Sequence, residues 1–230
     1  MGAKDLSEQL RLRAAYLAGE GLGYALARSG PKAPASEGAP PEPLEMIRIG
    51  MGDCHLCRLC EKRTRIVFGA GNPRARLLFV GEGPGAEEDE KGIPFVGRAG
   101  QLLTEIITRG MGLRREDVYI ANVVKCRPPE NRVPQPDEMA ACMPFLEAQI
   151  ACICPEVIVT LGATAFQGLL GEKVAITRIR GQWRNYKGIP LMPTYHPSYL
   201  LRNPAAKGDV WKDVQQVMAR LGLSRPEKKS

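Results

Sequence analysis

Short apolar runs alternate with amphipathic segments along most of the chain. Four of the runs predict β-strands, and the segments that follow them predict helices. The predicted strands are Arg76–Gly81, Asp117–Val124, Glu156–Leu161 and Ile189–Thr194, and the predicted helices are Gly100–Arg109, Pro136–Ile150, Gly162–Leu170 and Asp209–Leu221. Strands that alternate with helices form a parallel sheet covered on both faces. We therefore expect an α/β fold, with three αβα layers around a central four-stranded, mostly parallel sheet.

The first 45 residues have a different character. Apolar residues recur near helical spacing between Asp5 and Arg28, which predicts a helix. Ser29–Glu45 is rich in Pro, Gly, Ala and Ser, which is typical of an extended linker. The predicted helix either packs on the main domain or binds a partner. We expect residues 1–45 to form a helical extension, residues 46–223 the main domain and residues 224–230 a polar tail.

Chemically unusual segments lie at the ends of three predicted strands. GEGPG (residues 81–85) ends the first strand and continues past it, NVVKC (122–126) lies at the end of the second, and TYHPS (194–198) at the end of the fourth. In open parallel sheets, ligands bind outside the carboxyl ends of the strands. The sequence therefore predicts that these segments converge on one cleft.

The composition and net charge of the chain indicate what kind of core it has and what kind of molecule it binds. The 230 residues are 44% hydrophobic but only 6% aromatic, so the core should be aliphatic, and 32 basic against 25 acidic residues give a net charge of +7. A basic protein is a modest indication of a polyanionic partner such as nucleic acid. No apolar run is long enough to span a bilayer, and the charged amino terminus lacks the apolar region of a secretory signal. We expect a cytoplasmic protein that does not bind membranes.

The seven cysteines predict a metal or cluster site more than a disulfide framework. Their count is odd, and no export signal accompanies them. Cys54 and Cys57 form a chelating pair, whereas Cys126 follows a strand and Cys142 lies in a helix. Two separate later ligands, with a Pro-rich segment between them, favour an iron–sulfur cluster over a zinc ribbon, but both remain open.

Other readings of the cysteines compete. Cys54, Cys57 and Cys60 form the C-x2-C-x2-C start of a ferredoxin-like run, but the next position of that run is Thr64 rather than Cys. This departure makes Cys60 a bystander in our interpretation, as it does the later Cys152 and Cys154. The remaining alternative is that the cysteines are merely buried free thiols.

The glycine-rich turn and one histidine are further candidates for function. GEGPG fits neither the dinucleotide nor the P-loop motif, although its glycines permit close approach of the backbone to a ligand. An ordinary turn is the alternative. The acidic run at 87–90 is either a solvated face or part of a pocket wall. His196, one of two histidines, stands at a strand end before Pro-Ser, which favours a functional role over a structural one.

These segments together resemble the family 4 uracil-DNA glycosylases, the iron–sulfur type of bacteria and archaea. The segments that carry the resemblance are CHLCRLCEKRTRIVFGAGNP, LLFVGEGPGAEEDEKGIPFVGRAGQLL, YIANVVKCRPPENRVPQPDEMAAC, VIVTLGATA and PTYHPSYLLR. The resemblance implies a DNA repair enzyme that flips uracil out of DNA and hydrolyses its N-glycosidic bond, leaving an abasic site. It also implies a [4Fe–4S] cluster on Cys54, Cys57, Cys126 and Cys142. The amino-terminal extension lies outside the match.

The resemblance places uracil in the cleft at the strand ends, after extrusion from the base stack. Phe95 would stack on the flipped ring, and Asn122 would donate to O4 and accept from N3–H. Glu88 would exclude the methyl group of thymine, and the backbone at Gly83 would line the pocket. Because a free amide can flip to match cytosine, discrimination requires bonds that hold Asn122 in one orientation.

Bond cleavage leaves negative charge on uracil O2 and a cationic sugar. A donor aimed at O2 is worth roughly 3–4 kcal/mol, and His196 is the candidate. A carboxylate can orient the attacking water or stabilise the sugar. The family 1 enzymes carry Asp where Gly83 stands here, so we assign this role to Glu82, with Glu88 as the second candidate.

The segment after His196 would contact DNA. Leu200, placed in a loop, would wedge into the base stack, while Arg202 and the backbone of Ser198 would contact phosphate. The alternative for Leu200 and its neighbour Leu201 is core packing. We expect a monomer that acts on single- or double-stranded uracil-containing DNA and is associated with the nucleoid through that DNA.

Two other functions compete with the glycosylase. The first is a protein that binds or captures uracil-containing DNA with little turnover. Relatives that capture the base covalently use a His in an inserted basic loop, and the segment VGRAGQLL after Phe95 shows no such insertion. The second is an iron–sulfur redox protein that does not touch bases.

Overall fold

A computed structural model of the chain describes residues 43–224. Its centre is a six-stranded sheet with the strand order β1-β3-β2-β4-β6-β5. The strands are β1 (Ala70–Gly71), β2 (Leu77–Gly81), β3 (Tyr119–Asn122), β4 (Val157–Leu161), β5 (Arg184–Tyr186) and β6 (Ile189–Thr194). The four inner strands are parallel, and β1 and β5 add antiparallel edges. The α/β class is confirmed, but the expected count of four strands is wrong.

The two edge strands escape prediction for a physical reason. The strand β1 has two residues, and β5 has three, with the polar sequence Arg-Asn-Tyr. Neither carries the apolar run or the alternation by which a strand is recognised. Each is short and antiparallel to its single neighbour, which is a common way to end a sheet.

Eight helices cover the sheet within the described residues. They are α1 (Pro43–Met51), α2 (Ala86–Lys91), α3 (Arg98–Glu105), α4 (Pro136–Ile153), α5 (Ala163–Leu170), α6 (Ile176–Ile179), α7 (Pro197–Arg202) and α8 (Lys207–Leu221), and a π-helical turn, Ile106–Gly110, continues α3. None of the helices in residues 43–224 is long and apolar enough to cross a membrane.

The core consists of two apolar clusters, one on each face of the sheet. On one face, α1, α4 and α5 contribute Leu44, Phe145 and Phe166. On the other face, α3 and α8 contribute Leu103 and Val214. The strands β2, β3 and β4 are buried along their whole length and β6 over its last four residues, as expected for strands covered on both sides. The three-layer αβα arrangement is therefore confirmed.

The register brings the carboxyl ends of the inner strands to one edge. Gly81 at the end of β2 pairs with Asn122 at the end of β3. Leu161 at the end of β4 pairs with Thr194 at the end of β6. The segments that follow these strands therefore leave the sheet side by side, as the sequence pattern predicts.

Three helices differ from expectation. The helix α1 begins at Pro43, within the segment expected to be linker, and buries Leu44, Ile47 and Met51. The acidic run lies in α2, and the segment after His196, expected to be a loop, is α7. The predicted helix Asp5–Arg28, the rest of the linker and the last six residues of the tail lie outside the described part.

Candidate active site

Phe95 and Asn122 both lie against the backbone of Gly81 at the carboxyl end of β2, and the place where they meet is the candidate pocket. A Cβ atom at Gly81 would lie 2.6 Å from the ring carbons Cε2 and Cζ of Phe95 and even closer to Asn122 Oδ1. Only glycine leaves room for both side chains at this point. The Asn122 side chain thus lies directly against the backbone of Gly81, which brings the first two strand-end segments together.

The side chain of Asn122 is held in the interior with one atom unsatisfied. Asn122 is 1% exposed, and its Oδ1 is a buried acceptor without a hydrogen-bond partner in the structure. Buried polar atoms are nearly always paired, because leaving one unpaired costs about 1–3 kcal/mol. An unpaired acceptor next to an aromatic ring therefore calls for an N–H or O–H donor on a ligand.

His196 joins the pocket from the end of β6. Its ring centroid lies 5.5 Å from that of Phe95, with the two planes inclined by 36°. The backbone N–H of Ser198 donates to Nδ1 at 3.1 Å, and the Ser198 hydroxyl is 2.7 Å from the same atom. Since a backbone N–H can only donate, Nδ1 must carry a lone pair, and the neutral ring bears its proton on Nε2.

The electrostatics keep this imidazole neutral. Burial lowers the pKa of His196 to about 4, the charge of Arg202 acts in the same direction, and Glu88 opposes them. At neutral pH the residue is therefore an Nε2–H donor and not a cation. It also serves as the N-cap of α7, and Pro197 occupies the first helical position.

Glu82 lies beside the same edge, in the turn after β2. Burial raises the pKa of its carboxyl, and a hydrogen bond with Thr164 opposes the rise. Next to it, a Cβ at Gly83 would come within 2.7 Å of Val124 Cγ2, so the chain packs tightly there as well. The turn thus places one partly desolvated carboxylate directly after Gly81, at the same edge of the sheet as Asn122.

Glu88 fastens the turn to the loop that carries Phe95. Its Oε2 accepts the N–H of Gly85 at 3.1 Å, and its Oε1 accepts the N–H groups of Val96 and Gly97, each at 2.8 Å. Both carboxylate oxygens are therefore engaged with backbone. Exclusion of a methyl group by Glu88 stays a prediction, whereas the bracing of this loop is what the contacts show.

Asp89, the next residue of α2, contacts a different part of the chain. Asp89 is 3% exposed, and its carboxylate accepts the N–H of Thr64 at 2.9 and 3.0 Å and that of Arg65 at 3.3 Å. These two residues follow the cysteine-rich segment 54–60. The acidic run is thus neither only a solvated face nor only a pocket wall, because two of its carboxylates cap backbone N–H groups.

Arg115 supports Phe95 from outside the strand-end segments. Phe95 has a φ of +53°, a backbone conformation that residues other than glycine rarely adopt. The guanidinium of Arg115 donates to the carbonyl oxygens of Pro94 at 2.7 Å and Phe95 at 2.9 Å, and to Thr104 Oγ1 at 2.8 Å. The sequence analysis missed this residue, since no local signal distinguishes it from a surface arginine.

The contacts of α7 correct the assignment of Leu200. Leu200 is 1% exposed and packs in the core, whereas Leu201 is 45% exposed. Because the segment is helical and not a loop, adjacent residues point in different directions. The expected exposure of Leu200 is wrong, and Leu201 is the one of the two leucines that is exposed to solvent. Ser198 is half-buried against His196, and Arg202 is exposed.

Five cysteines line a cavity on the opposite side of β3 from Phe95. They are Cys54, Cys57, Cys60, Cys126 and Cys142, and Arg63 and Lys125 line the same cavity. Cys152 and Cys154 are not part of it. The cavity thus contains the four expected ligands, and it also contains Cys60, which the sequence analysis set aside.

The sulfur atoms of this cavity receive hydrogen bonds from basic residues. Arg63 Nη1 donates to Cys126 Sγ at 3.5 Å, and the backbone N–H of Lys125 donates to Cys142 Sγ at 3.3 Å. Burial raises the pKa of the Cys126 thiol to about 11 and that of Cys142 to about 12. Among residues 43–224, no three His, Cys, Asp or Glu side chains are arranged to hold a single metal ion.

Known proteins resemble this chain over most of its length. The family model described as the uracil DNA glycosylase superfamily matches residues 68–215. Type-4 uracil-DNA glycosylase of Thermotoga maritima is 56% identical over 166 residues, which are 70% of this chain and 85% of the relative. The type-4 enzyme of Sulfurisphaera tokodaii is 44% identical over 76% of this chain and 83% of its own length. That of Saccharolobus solfataricus is 42% identical over 80% and 88%.

Proposed function

The chain belongs to the uracil DNA glycosylase superfamily and is a DNA repair enzyme that releases uracil, and we propose that the pocket of Phe95, Asn122 and His196 carries the reaction. The observation that carries this proposal is the unpaired Oδ1 of Asn122, buried beside the Phe95 ring. A uracil flipped out of DNA presents N3–H, the donor that such an acceptor lacks. Its ring would stack on Phe95, and its O4 would accept from the amide nitrogen of Asn122.

His196 is proposed to stabilise the leaving base. Cleavage of the N-glycosidic bond places negative charge on uracil O2, and a preorganised donor at that atom lowers the barrier by roughly 3–4 kcal/mol. The neutral ring with its proton on Nε2 is such a donor, and its Nδ1 is already held by the backbone of Ser198. Because the donor is neutral, it stabilises the developing charge without first forming an ion pair.

Glu82 is proposed to handle water and the cationic sugar. Its carboxylate stands at the rim next to the pocket, and burial raises its pKa, which strengthens it as a base. Glu88 is the weaker candidate because both of its oxygens already accept backbone N–H groups. We assign Glu88 to holding the loop of Phe95 in place.

Contacts with DNA are proposed for α7 and its ends. Leu201 is the residue that would enter the space left by the flipped base, since Leu200 is buried. Arg202 and the backbone of Ser198 would contact phosphate, and the net charge of +7 would add a salt-sensitive attraction. Both single- and double-stranded DNA are proposed as substrates.

We also propose that Cys54, Cys57, Cys126 and Cys142 hold a [4Fe–4S] cluster. The cavity is lined by thiols from three separate segments, and N–H groups of Arg63 and Lys125 already point at two of the sulfurs. Hydrogen bonds of this kind are typical of cluster ligands, whose sulfurs carry negative charge. When bound, the cluster would cross-link these three segments.

We further propose that the protein is a cytoplasmic monomer that is associated with the nucleoid through DNA.

The experiment that tests the proposed pocket uses a uracil-containing single strand. The purified protein is incubated with the strand, and alkali then breaks the DNA wherever a base is missing. Asn122→Ala and His196→Ala should each lower the rate by at least 100-fold while the brown absorbance of the protein is retained. Near-normal cleavage by either variant removes that residue from the mechanism, and a stable protein–DNA adduct without turnover supports the capturing protein.

A further inference from the structure

Lys125 is a buried cation that lies between the two proposed sites. It occupies the position just before Cys126, three residues after Asn122, and only 1% of it is exposed. Its ammonium donates to the backbone carbonyl oxygen of Asn122 at 2.8 Å and to Gln149 Oε1 at 2.6 Å. The side chain therefore runs back along the chain to the residue that reads the base.

The backbone of the same residue faces the cysteine cavity. The N–H of Lys125 donates to Cys142 Sγ at 3.3 Å, and its carbonyl oxygen accepts the N–H of Val67 at 2.8 Å. Lys125 itself lines the cavity. One residue thus bonds the reading residue through its side chain and a proposed cluster ligand through its main chain.

The charge of Lys125 lacks an acidic partner in its surroundings. Its two side-chain acceptors are neutral oxygens, and no carboxylate within residues 43–224 forms an ion pair with it. A buried charge is costly unless an opposite charge or several hydrogen bonds compensate for it. The nearest source of negative charge is the cysteine cavity, which becomes anionic when four thiolates bind a cluster.

Gln149 completes the support of this ammonium. Gln149 is fully buried on α4, accepts from Lys125 through Oε1, and donates through Nε2 to the carbonyl oxygen of Phe68 at 2.9 Å. Its removal would leave the ammonium with one acceptor, the Asn122 carbonyl oxygen. Thr160 on β4 offers a control outside this network, because it is fully buried and its hydroxyl has no hydrogen-bond partner within residues 43–224.

We propose that Lys125 is a positioning residue that couples the cluster to base recognition, holding the Asn122 carbonyl with its ammonium and balancing the negative charge of the cluster. This inference rests on the cluster and the reading role of Asn122 proposed above. Removal of the charge should make the cluster harder to reduce. Removal of the hydrogen bond should release the end of β3 and misplace the Asn122 amide, and a displacement of about 1 Å can cost 100-fold in rate.

The test compares three variants of the full chain with the cluster in place. Lys125→Met removes charge and hydrogen bonds at similar length, Lys125→Gln removes the charge but keeps a donor, and Thr160→Val is the control. The measurements are iron content, the midpoint potential of the cluster by protein voltammetry, the dissociation constant of free uracil, and kcat/KM on a uracil-containing single strand.

The proposal predicts a separate pattern for each variant. Lys125→Met should bring the midpoint potential to a more negative value, weaken uracil binding at least 10-fold and lower kcat/KM by 10- to 100-fold. Lys125→Gln should shift the potential in the same direction and weaken uracil binding less than Lys125→Met does. Thr160→Val should leave the potential unchanged and lower kcat/KM less than threefold.

Other outcomes overturn the coupling. If Lys125→Met changes only the potential or only uracil binding, or if Thr160→Val has the same effects, Lys125 does not link the two sites. Failure of both Lys125 variants to fold also counts against the proposal, because Lys125 would then be a requirement of the core. Wild-type protein that carries no iron, or that fails to release uracil, defeats the proposed function itself and is recognised before any variant is compared.

Discussion

Arg115 holds the backbone of Phe95 in a left-handed conformation from which the ring reaches the pocket. Its guanidinium donates to the Phe95 carbonyl oxygen at 2.9 Å and to that of the preceding Pro94 at 2.7 Å, while φ of Phe95 is +53°. Such a conformation costs about 1–3 kcal/mol and persists only where surrounding contacts enforce it. The contact between an arginine outside the pocket and the stacking ring is therefore part of the preorganisation of the site.

Replacement of Arg115 by Met should lower kcat/KM by 10- to 100-fold. The two carbonyl groups lose their donor, the loop relaxes, and the Phe95 ring leaves the position over Gly81 on which stacking depends. Steady-state kinetics on a uracil-containing strand measures the effect. Arg114→Ala is the matched control, because that neighbouring arginine is exposed and pairs with Asp117, and its activity should stay within twofold of wild type. Equal losses in both variants would falsify the role of Arg115.

The stability of the protein should fall as pH is lowered from 7 to 5. The unfolded chain protonates His196 near pH 6.5, whereas burial lowers the folded pKa to about 4, so between these values the unfolded state binds more protons. The loss at pH 5 should be about 2 kcal/mol. Urea unfolding of wild type and His196→Gln at both pH values measures it.

A matched variant completes the pH experiment. His196→Gln should lose about 2 kcal/mol of the pH dependence that wild type shows. If His196→Gln and wild type respond to pH in the same way, the neutral buried imidazole is not the cause, and the donor state assigned to His196 must be revised.

Leu200 and Leu201 should behave differently although they are adjacent. Leu200→Ala removes a buried core side chain and should lower the free energy of unfolding by about 2–5 kcal/mol. Leu201→Ala should leave stability nearly unchanged but lower the rate on double-stranded DNA more than on single strands, because only the duplex requires a side chain to hold the gap open. Activity on both substrates, together with chemical denaturation, separates the two effects. If only Leu200→Ala lowers the rate, the role of entering the base stack belongs to Leu200 and not to Leu201.

Substitution of cysteines one at a time should identify the cluster ligands. Cys126→Ser and Cys142→Ser should lose most of the iron and the brown absorbance, because these sulfurs line the cavity and accept hydrogen bonds from Arg63 and from the backbone N–H of Lys125, respectively. Cys152→Ser, outside the cavity, should retain both. Cys60→Ser decides a question that the cavity raises, and we expect it to retain the cluster. Retention of full iron by Cys142→Ser would contradict the ligand set.

The sequence predicted the parts of the molecule that depend on repeating patterns. Apolar runs and periodicity predict the four inner strands and the long helix α4, and the rule that ligands bind at strand ends selects Asn122 and His196 as candidates. The side chains of α7 could not be assigned in this way, because a six-residue helix carries too little pattern to show which of two leucines is buried. Arg115 was missed because its role depends on a distant loop, not on its neighbours in sequence.

The short helix α2 has a consequence for how damage to the protein would spread. Its successive residues Glu88 and Asp89 hold backbone groups on opposite sides, the first at the loop of Phe95 and the second at Thr64 and Arg65. Six residues thus join two regions that are far apart in sequence and in chemistry. A substitution at position 88 would first disturb the loop that carries Phe95. A substitution at position 89 would first disturb the segment that follows the cysteines.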